Sequence, residues 1–297
     1  LNFVFYIGVV LIWGTTWFAI LFQLGEVDPL VSIIYRFSMA ALILMAYCLA
    51  AGRRMRFSLK SHLFMALMGF LLFSLNYWLF YLSELYLASG LVAVVFSTLA
   101  VFNILFGALF LGSPVRPRVL WGALLGLAGI GILFRPELAS FSFSDRGVIG
   151  LSLSLAATAS SSLGNITSAR NQRDGIPVVQ ANAWGMTYGT AFMVVSALVM
   201  GKKFTFEVTF PYFFSLFYLA LFGSVFAFGM YLTLIGRIGA DRAAYSSLLY
   251  PLVALFLSLE YEGYRATLPA LAGVLLILLG NYLVLGKGGK HRDGVRA

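Results

Sequence analysis

The residues of this chain best suited to handle a solute are neutral and aromatic rather than titratable. Phe73, Asn76, Tyr77, Phe80 and Glu84 fall on one face of a helix expected over residues 61–84. Asn76 stands about 15 residues, or ~22 Å, from the start of that helix. Such a stripe suits a small amphipathic molecule, because the amide can bond its polar groups while the rings cover its apolar body. A second stripe runs through Ser154, Thr158, Ser161, Ser162, Asn165 and Ser168 at a spacing near 3.6. Small hydroxyls there serve close helix packing or line a wet cavity, and both readings stand. Asn165 favours the cavity, since local backbone cannot satisfy both ends of its amide. Ser97, Trp17, Trp184, Tyr245 and Tyr250 extend the candidate set. Trp and Tyr also populate interfacial belts, yet Trp17 and Trp184 are too deep for easy placement there.

The elements that must carry these residues are apolar to an unusual degree. Hydrophobic residues make up 61% of the 297 residues and charged residues 10%, against about 25% charged in an ordinary soluble domain. A hydrocarbon core ~30 Å thick needs roughly 20 apolar residues per helical crossing. Ten such segments are expected, near 3–22, 29–51, 61–84, 89–111, 117–134, 147–169, 178–200, 211–236, 240–260 and 267–286. The net charge of +9 follows from topology rather than from nucleic acid. Fourteen of the 20 Lys and Arg residues fall in alternate loops on one side, among them Arg53, Arg54, Arg56, Arg116, Arg118, Arg173 and Arg237. Five fall on the other (Arg135, Arg146, Lys202, Lys203 and Arg265), with Glu26, Asp28, Glu137, Asp145 and Glu207 beside them. This bias puts both termini in the cytoplasm. No cleavable signal peptide is expected. The single Cys48 excludes an intramolecular disulfide and a cysteine-based metal site.

Within such spans, special residues need a reason. Arg36 is the one basic residue well inside a segment, about 7 residues or ~10 Å past Pro29. It could meet a substrate carboxylate, or snorkel and brace helix ends. Pro251 is the one proline deep in a span and should kink the ninth segment, making that helix the expected gating hinge. Carboxylates are missing at mid-depth, and His62 and His291 lie in cytoplasmic segments. Facilitated movement without a dedicated proton relay follows. There is no His-Glu-x-x-His, no phosphate-cradling glycine loop and no Ser-His-Asp set, so an enzyme is not expected, nor any metal or cofactor.

The two halves of the chain match. Pro29-Leu-Val-Ser parallels Pro177-Val-Val-Gln, Ala93 and Ser97 fall on Ala243 and Ser247, and Gly122 and Gly129 fall on Gly273 and Gly280. Two repeats are expected, over 1–140 and 141–297, the second ending in a short basic tail. Five crossings per repeat would invert the second copy, as in many secondary transporters.

Several segments carry a family likeness: Trp13-Gly-Thr-Thr-Trp-Phe, Arg36-Phe-Ser-Met-Ala-Ala-Leu, Trp121-Gly-Ala-Leu-Leu-Gly-Leu-Ala-Gly-Ile-Gly, Ser247-Leu-Leu-Tyr-Pro-Leu-Val-Ala-Leu and Leu271-Ala-Gly-Val-Leu-Leu-Ile-Leu-Leu-Gly. Over nearly its full length the chain resembles the drug/metabolite transporter superfamily, in its ten-helix EamA-type branch, and most of all the YddG-type bacterial amino-acid exporters. It departs where the family usually has Glu after the fourth helix and this chain has Ser113-Pro-Val, and where Val101 stands opposite Pro251. The resemblance implies an all-α multi-pass protein of the bacterial inner membrane. A central cavity is expected between helices 1, 3, 4, 6, 8 and 9, with helices 5 and 10, poor in polar residues apart from Asn281, at the periphery. The resemblance also implies export of amino acids by alternating access. Arginine at the Arg36 position recurs across different substrates, which favours a structural role there. The expected partners are a small-molecule substrate and membrane lipids, with no nucleic acid, and the expected state is a monomer. Alternatives are a proton-coupled drug or metabolite exporter, a nucleotide-sugar or organic-anion carrier, and a membrane scaffold or sensor.

Overall fold

A computed structural model describes residues 1–23, 25–87, 89–139, 141, 143, 145–250, 252–253 and 268–285. The first half holds α1 (Asn2–Leu21), α2 (Pro29–Ala50), α3 (Leu59–Phe70), α4 (Asn76–Glu84), α5 (Ser89–Phe96), α6 (Leu99–Leu111), α7 (Pro117–Leu133) and the single turn α8 (Arg135–Ala139). Then come α9 (Asp145–Arg173), α10 (Val178–Val199), α11 (Phe210–Tyr218), α12 (Ala227–Ile238), α13 (Ala240–Ala244) and α14 (Leu268–Leu285). Every regular element among the described residues is helical. Among the described residues, five stretches are long and apolar enough to cross a membrane: Pro29–Ala50, Leu59–Glu84, Val94–Leu111, Asp145–Arg173 and Phe210–Ile238.

Local chemistry sets the helix ends. Pro29 occupies the first turn of α2, and the Asp28 carboxylate accepts the Leu30 amide at 2.9 Å. Lys202 reaches the same carboxylate at 2.7 Å. Gly112 ends α6 at φ 60°, where a side chain would be strained.

Four of the expected spans are not uniform helices, and each irregularity has a donor that explains it. Residues 61–84 contain a π-helical turn at Leu71–Leu75, and residues 211–236 contain one at Leu219–Phe226. Wider turns loosen the i→i−4 ladder, and a freed carbonyl in an apolar setting needs another donor. Ser160 Oγ donates to the Leu71 carbonyl at 2.8 Å, and Ser224 Oγ to that of Leu219 at 3.1 Å. Trp13 Nε1 donates to the Gly223 carbonyl at 2.9 Å. The fourth span breaks at Ser97–Thr98, where amides bond three residues back. The ninth tightens into a 3₁₀ turn over Tyr245–Leu249. Hydroxyls of Thr98, Ser246 and Ser247 each bond the carbonyl three residues before them, which sustains the tighter winding.

Two glycine-lined crossings bring helices close. A Cβ on Gly189 of α10 would lie 2.7 Å from the Gly69 carbonyl oxygen of α3. In the α7–α14 pair, Gly122 faces Gly280 and Gly129 faces Gly273, so the helices run antiparallel. A Cβ on Gly129 would lie 2.6 Å from the Gly273 oxygen, and one on Gly273 would lie 2.7 Å from the Gly129 oxygen. The polar helix α9 packs against α3, α4, α5, α6 and α12. It buries Ser154, Thr158, Ser161, Ser162 and Asn165 rather than presenting them to the surround.

Candidate solute cavity

A cavity of about 270 Å³ lies inside the bundle. It is near the small end of the ~300–1,000 Å³ usual for ligand pockets, which suits a metabolite-sized guest. From α1 it receives Trp13, Thr16 and Ile20, with Gln23 just beyond the helix end; from α2 it receives Pro29, Ser32, Ile33 and Arg36. The contribution of α2 was not expected. It arises because a face of α2 packs on the Leu219–Phe226 turn and carries Arg36 inward. The third span supplies Asn76, Tyr77, Phe80, Tyr81 and Glu84, and α9 supplies Ser161 and Asn165. Val92 and Phe96 of α5 and Leu99 of α6 join them, and Leu72, Leu219, Tyr250, and Phe228 and Tyr231 of α12 complete the described wall. Neither α7 nor α14 contributes.

The floor is aromatic. Trp13 meets Phe228, Tyr231 and Tyr250 at ring-centroid distances of 4.8, 5.1 and 5.6 Å, mostly edge-to-face. The polar groups are few and mostly neutral. Asn76 Nδ2 donates to Ser161 Oγ at 3.0 Å, and Asn165 Nδ2 donates to the Tyr231 hydroxyl at 3.0 Å. The Oδ1 atoms of Asn76 and Asn165 are fully buried and have no partner among the described residues. Among the described lining residues, Arg36 and Glu84 carry charge. Arg36 is 6% exposed and bonds Ser224 Oγ through Nε at 2.9 Å. Glu84 is exposed at the rim, so the cavity reaches the surface at the end of the bundle where α4 stops.

A second cavity, about 490 Å³, lies towards the opposite end among Leu111, Arg173, Arg237 and Asp241. That end also holds the chain start, since Arg237 Nη1 donates to Asn2 Oδ1 at 3.2 Å. A bonded polar layer stands between the two. Asn103 lines the second cavity, whereas Asn165 and Tyr231 line the first. Asn103 Oδ1 accepts from Ser162 Oγ at 2.6 Å and from Asn165 Nδ2 at 3.4 Å, while its Nδ2 donates to the Ala240 carbonyl at 2.9 Å.

Of the residues singled out from sequence, Asn76, Tyr77, Phe80, Ser161, Asn165, Tyr250 and Arg36 stand together on this wall. Others do not. Trp184 points to the loop after α2: its Nε1 donates to the Met55 carbonyl at 3.3 Å and its ring stacks on Tyr188. Tyr245 turns away toward α7 and α14, donating to the Gly122 carbonyl at 2.9 Å. Both were chosen as aromatics that could extend the stripe, Trp184 also for its depth, and neighbouring elements decided where they point. Ser97 is buried at the break between α5 and α6, off the wall. Trp17 is in α1, but its side chain lies outside the described residues, as does Pro251, the expected hinge. The polar stripe of α9 splits: Ser161 and Asn165 face the cavity, Ser162 joins the layer, and Thr158 bonds back to the Ser154 carbonyl at 2.8 Å. Trp13, Thr16, Gln23, Phe228 and Tyr231 were missed. The spacing of Trp13, Thr16, Ile20 and Gln23 along one face of α1 was the available signal.

Comparison with known proteins identifies the family and the fold. The EamA-like transporter family matches residues 2–135 and again 148–286. The chain is 30% identical over 286 residues to an uncharacterized inner membrane transporter, YedA, of Escherichia coli K12, covering 93% of this chain and 90% of that one. It is 24% identical to an uncharacterized transporter, YoaV, of Bacillus subtilis 168, covering 93% and 94%. A probable amino-acid metabolite efflux pump of Escherichia coli K12 shares 27% identity over 66% of this chain and 67% of its own. A solved crystal structure superposes with a TM-score of 0.79 at 19% identity, covering 96% of both chains, and so shares the fold. The chain belongs to the EamA-like transporter family.

Proposed function

We propose that this protein is a facilitative transporter exporting amino acids, aromatic ones included, and related small amphipathic metabolites across the bacterial inner membrane. The observation that carries the reading is a solute-sized cavity open at one end and separated from a second cavity by a bonded polar layer. Alternating access needs such a site between two barriers that open in turn. Aromatic faces and neutral amides hold an amphipathic guest without the affinity that would trap it. The efflux pump among the relatives supports amino acids as the cargo class.

The scaffold in this reading is ten crossings in two inverted five-helix repeats. Three observations support it. One family description matches the chain twice. The π-helical turns begin at Leu71 and Leu219, and the helix breaks at Ser97 and Tyr245 fall in corresponding spans. In the α7–α14 pair, Gly122 meets the counterpart of Gly129, and Gly129 meets the counterpart of Gly122. That reciprocal pattern is the mark of a two-fold relation. The end carrying Arg116, Arg173 and Arg237 faces the cytoplasm by the distribution of basic residues, so the cavity opens outward, and the chain works as a monomer. Glu84 favours one second reading, proton coupling, because it is the acid that the described residues place on the wall.

The test is uptake of labelled phenylalanine and leucine into vesicles holding the purified protein, at equal and at unequal pH. Flux above that of empty vesicles, unchanged by a pH gradient, is the expected result. Flux equal to empty vesicles sinks the cargo assignment. Flux that follows the pH gradient and loses that dependence in Glu84→Gln favours the coupled reading.

A further inference from the structure

Arg36 is fixed at one edge and open at the other. Its Nε bonds Ser224 Oγ, and that hydroxyl gives its own proton to the Leu219 carbonyl, so the serine can only accept from the arginine. The π-helical turn at Leu219–Phe226 makes this possible, because Ser224 reaches the carbonyl five residues back. The same turn sets Gly223 beside the guanidinium: a Cβ there would lie 3.1 Å from Arg36 Nη2. The guanidinium carbon lies 5.4 and 5.7 Å from the ring centroids of Phe37 and Tyr77. Among the described residues, no hydrogen bond or ion pair engages the two terminal nitrogens. Arg36 nevertheless lines the cavity and is almost fully buried.

A bracing arginine would turn its donors to helix-end carbonyls, and a snorkelling one would leave the bundle. This one does neither. Burial of a guanidinium without a counter-charge is costly, and among the described residues no carboxylate pairs with this one. Its two free terminal groups present the fork that a carboxylate fits with paired bonds.

We propose that Arg36 is the receptor for the carboxylate of the transported solute, with Ser224 as its positioning residue. This deepens the transport reading and rests on it for the identity of the site. The cargo class becomes zwitterions and monocarboxylates with an apolar or aromatic body. Amines and amino-acid amides, which lack the carboxylate, are excluded.

The test is thermal unfolding of the detergent-purified full chain with phenylalanine, 3-phenylpropionate, phenylalaninamide, phenethylamine or sodium chloride, at matched ionic strength. Phenylalanine and 3-phenylpropionate should raise the melting temperature, and the two amines and chloride should not. Arg36→Gln should raise the half-saturating concentration of 3-phenylpropionate at least about tenfold, the usual weight of a charge-assisted bond. Arg36→Lys, which keeps charge but not the fork, should fall between. Equal protection by phenethylamine, or wild-type protection of Arg36→Gln, overturns the proposal. Protection by chloride equal to that by 3-phenylpropionate overturns it too, in favour of a simple anion site. If Arg36→Gln fails to fold, the acid-over-amine preference of the wild type and a severalfold weakening in Ser224→Ala decide the matter. Amino-acid flux in vesicles without an acid preference removes this site and leaves the transport reading intact. An acid preference without flux does the reverse.

Discussion

The polar layer around Asn103 should act as a lock between the two cavities, and its strength can be worked from its bonds. Asn103→Ala deletes the 2.6 Å bond from Ser162 Oγ and the 2.9 Å bond to the Ala240 carbonyl, along with the long 3.4 Å contact from Asn165. Asn165 keeps its bond to Tyr231. Two good bonds at about 1 kcal/mol each weaken the layer by about 2 kcal/mol, equivalent to a roughly 30-fold rise in the opened fraction. Ser162→Ala removes one of them and should give about fivefold. A cysteine placed at Ile20, on the cavity wall, reports the opening. The native Cys48 is fully buried and gives little background. A membrane-impermeant maleimide added from the Arg237 end reaches position 20 only while the layer is open, so its labelling rate follows the opened fraction. The expected order of rates is Asn103→Ala, then Ser162→Ala, then the parent, in steps near those given. Rates within about threefold of one another in correctly folded variants would refute the lock.

Other outcomes follow from packing. Gly129→Leu should separate α7 from α14, because a Cβ there already meets the Gly273 carbonyl at 2.6 Å; a melting temperature equal to the parent's would be contrary. Tyr245→Phe should lower stability by about 1 kcal/mol through loss of its bond to the Gly122 carbonyl, leaving ligand affinity unchanged; thermal melts with and without phenylalanine check both parts. Trp184→Phe should likewise leave the half-saturating phenylalanine concentration within about twofold, since its indole bonds the Met55 carbonyl away from the cavity; a tenfold change in that titration would return Trp184 to the site.

Much of the fold was legible because apolar length and helix-end chemistry are local. Pro29, Pro117 and Gly112 sit at the helix ends where their backbone preferences put them. The glycines of the fifth and tenth segments pack as a close pair, as small residues at helix interfaces should. The irregular turns were not legible. A π-helical turn depends on a donor from another helix, such as Ser160 for Leu71 or Trp13 for Gly223, and no local pattern reveals that partner.

The site divides the same way. Periodicity alone put Asn76, Tyr77 and Phe80 on one face, and depth alone marked Asn165 and Arg36 as groups needing a reason. Where each side chain points across a gap between helices was decided by packing. Tyr245 was drawn to a carbonyl exposed by the glycine crossing, and Trp184 to the loop after α2, although both are aromatics of the kind that line the cavity. Trp13 and Tyr231 became cavity floor because α1 and α12 pack together, a pairing between residues more than two hundred positions apart. The sequence by itself determined which segments are helices and which of their faces are polar. Only the tertiary structure decided which faces meet, because helix pairing depends on contacts that no single helix contains.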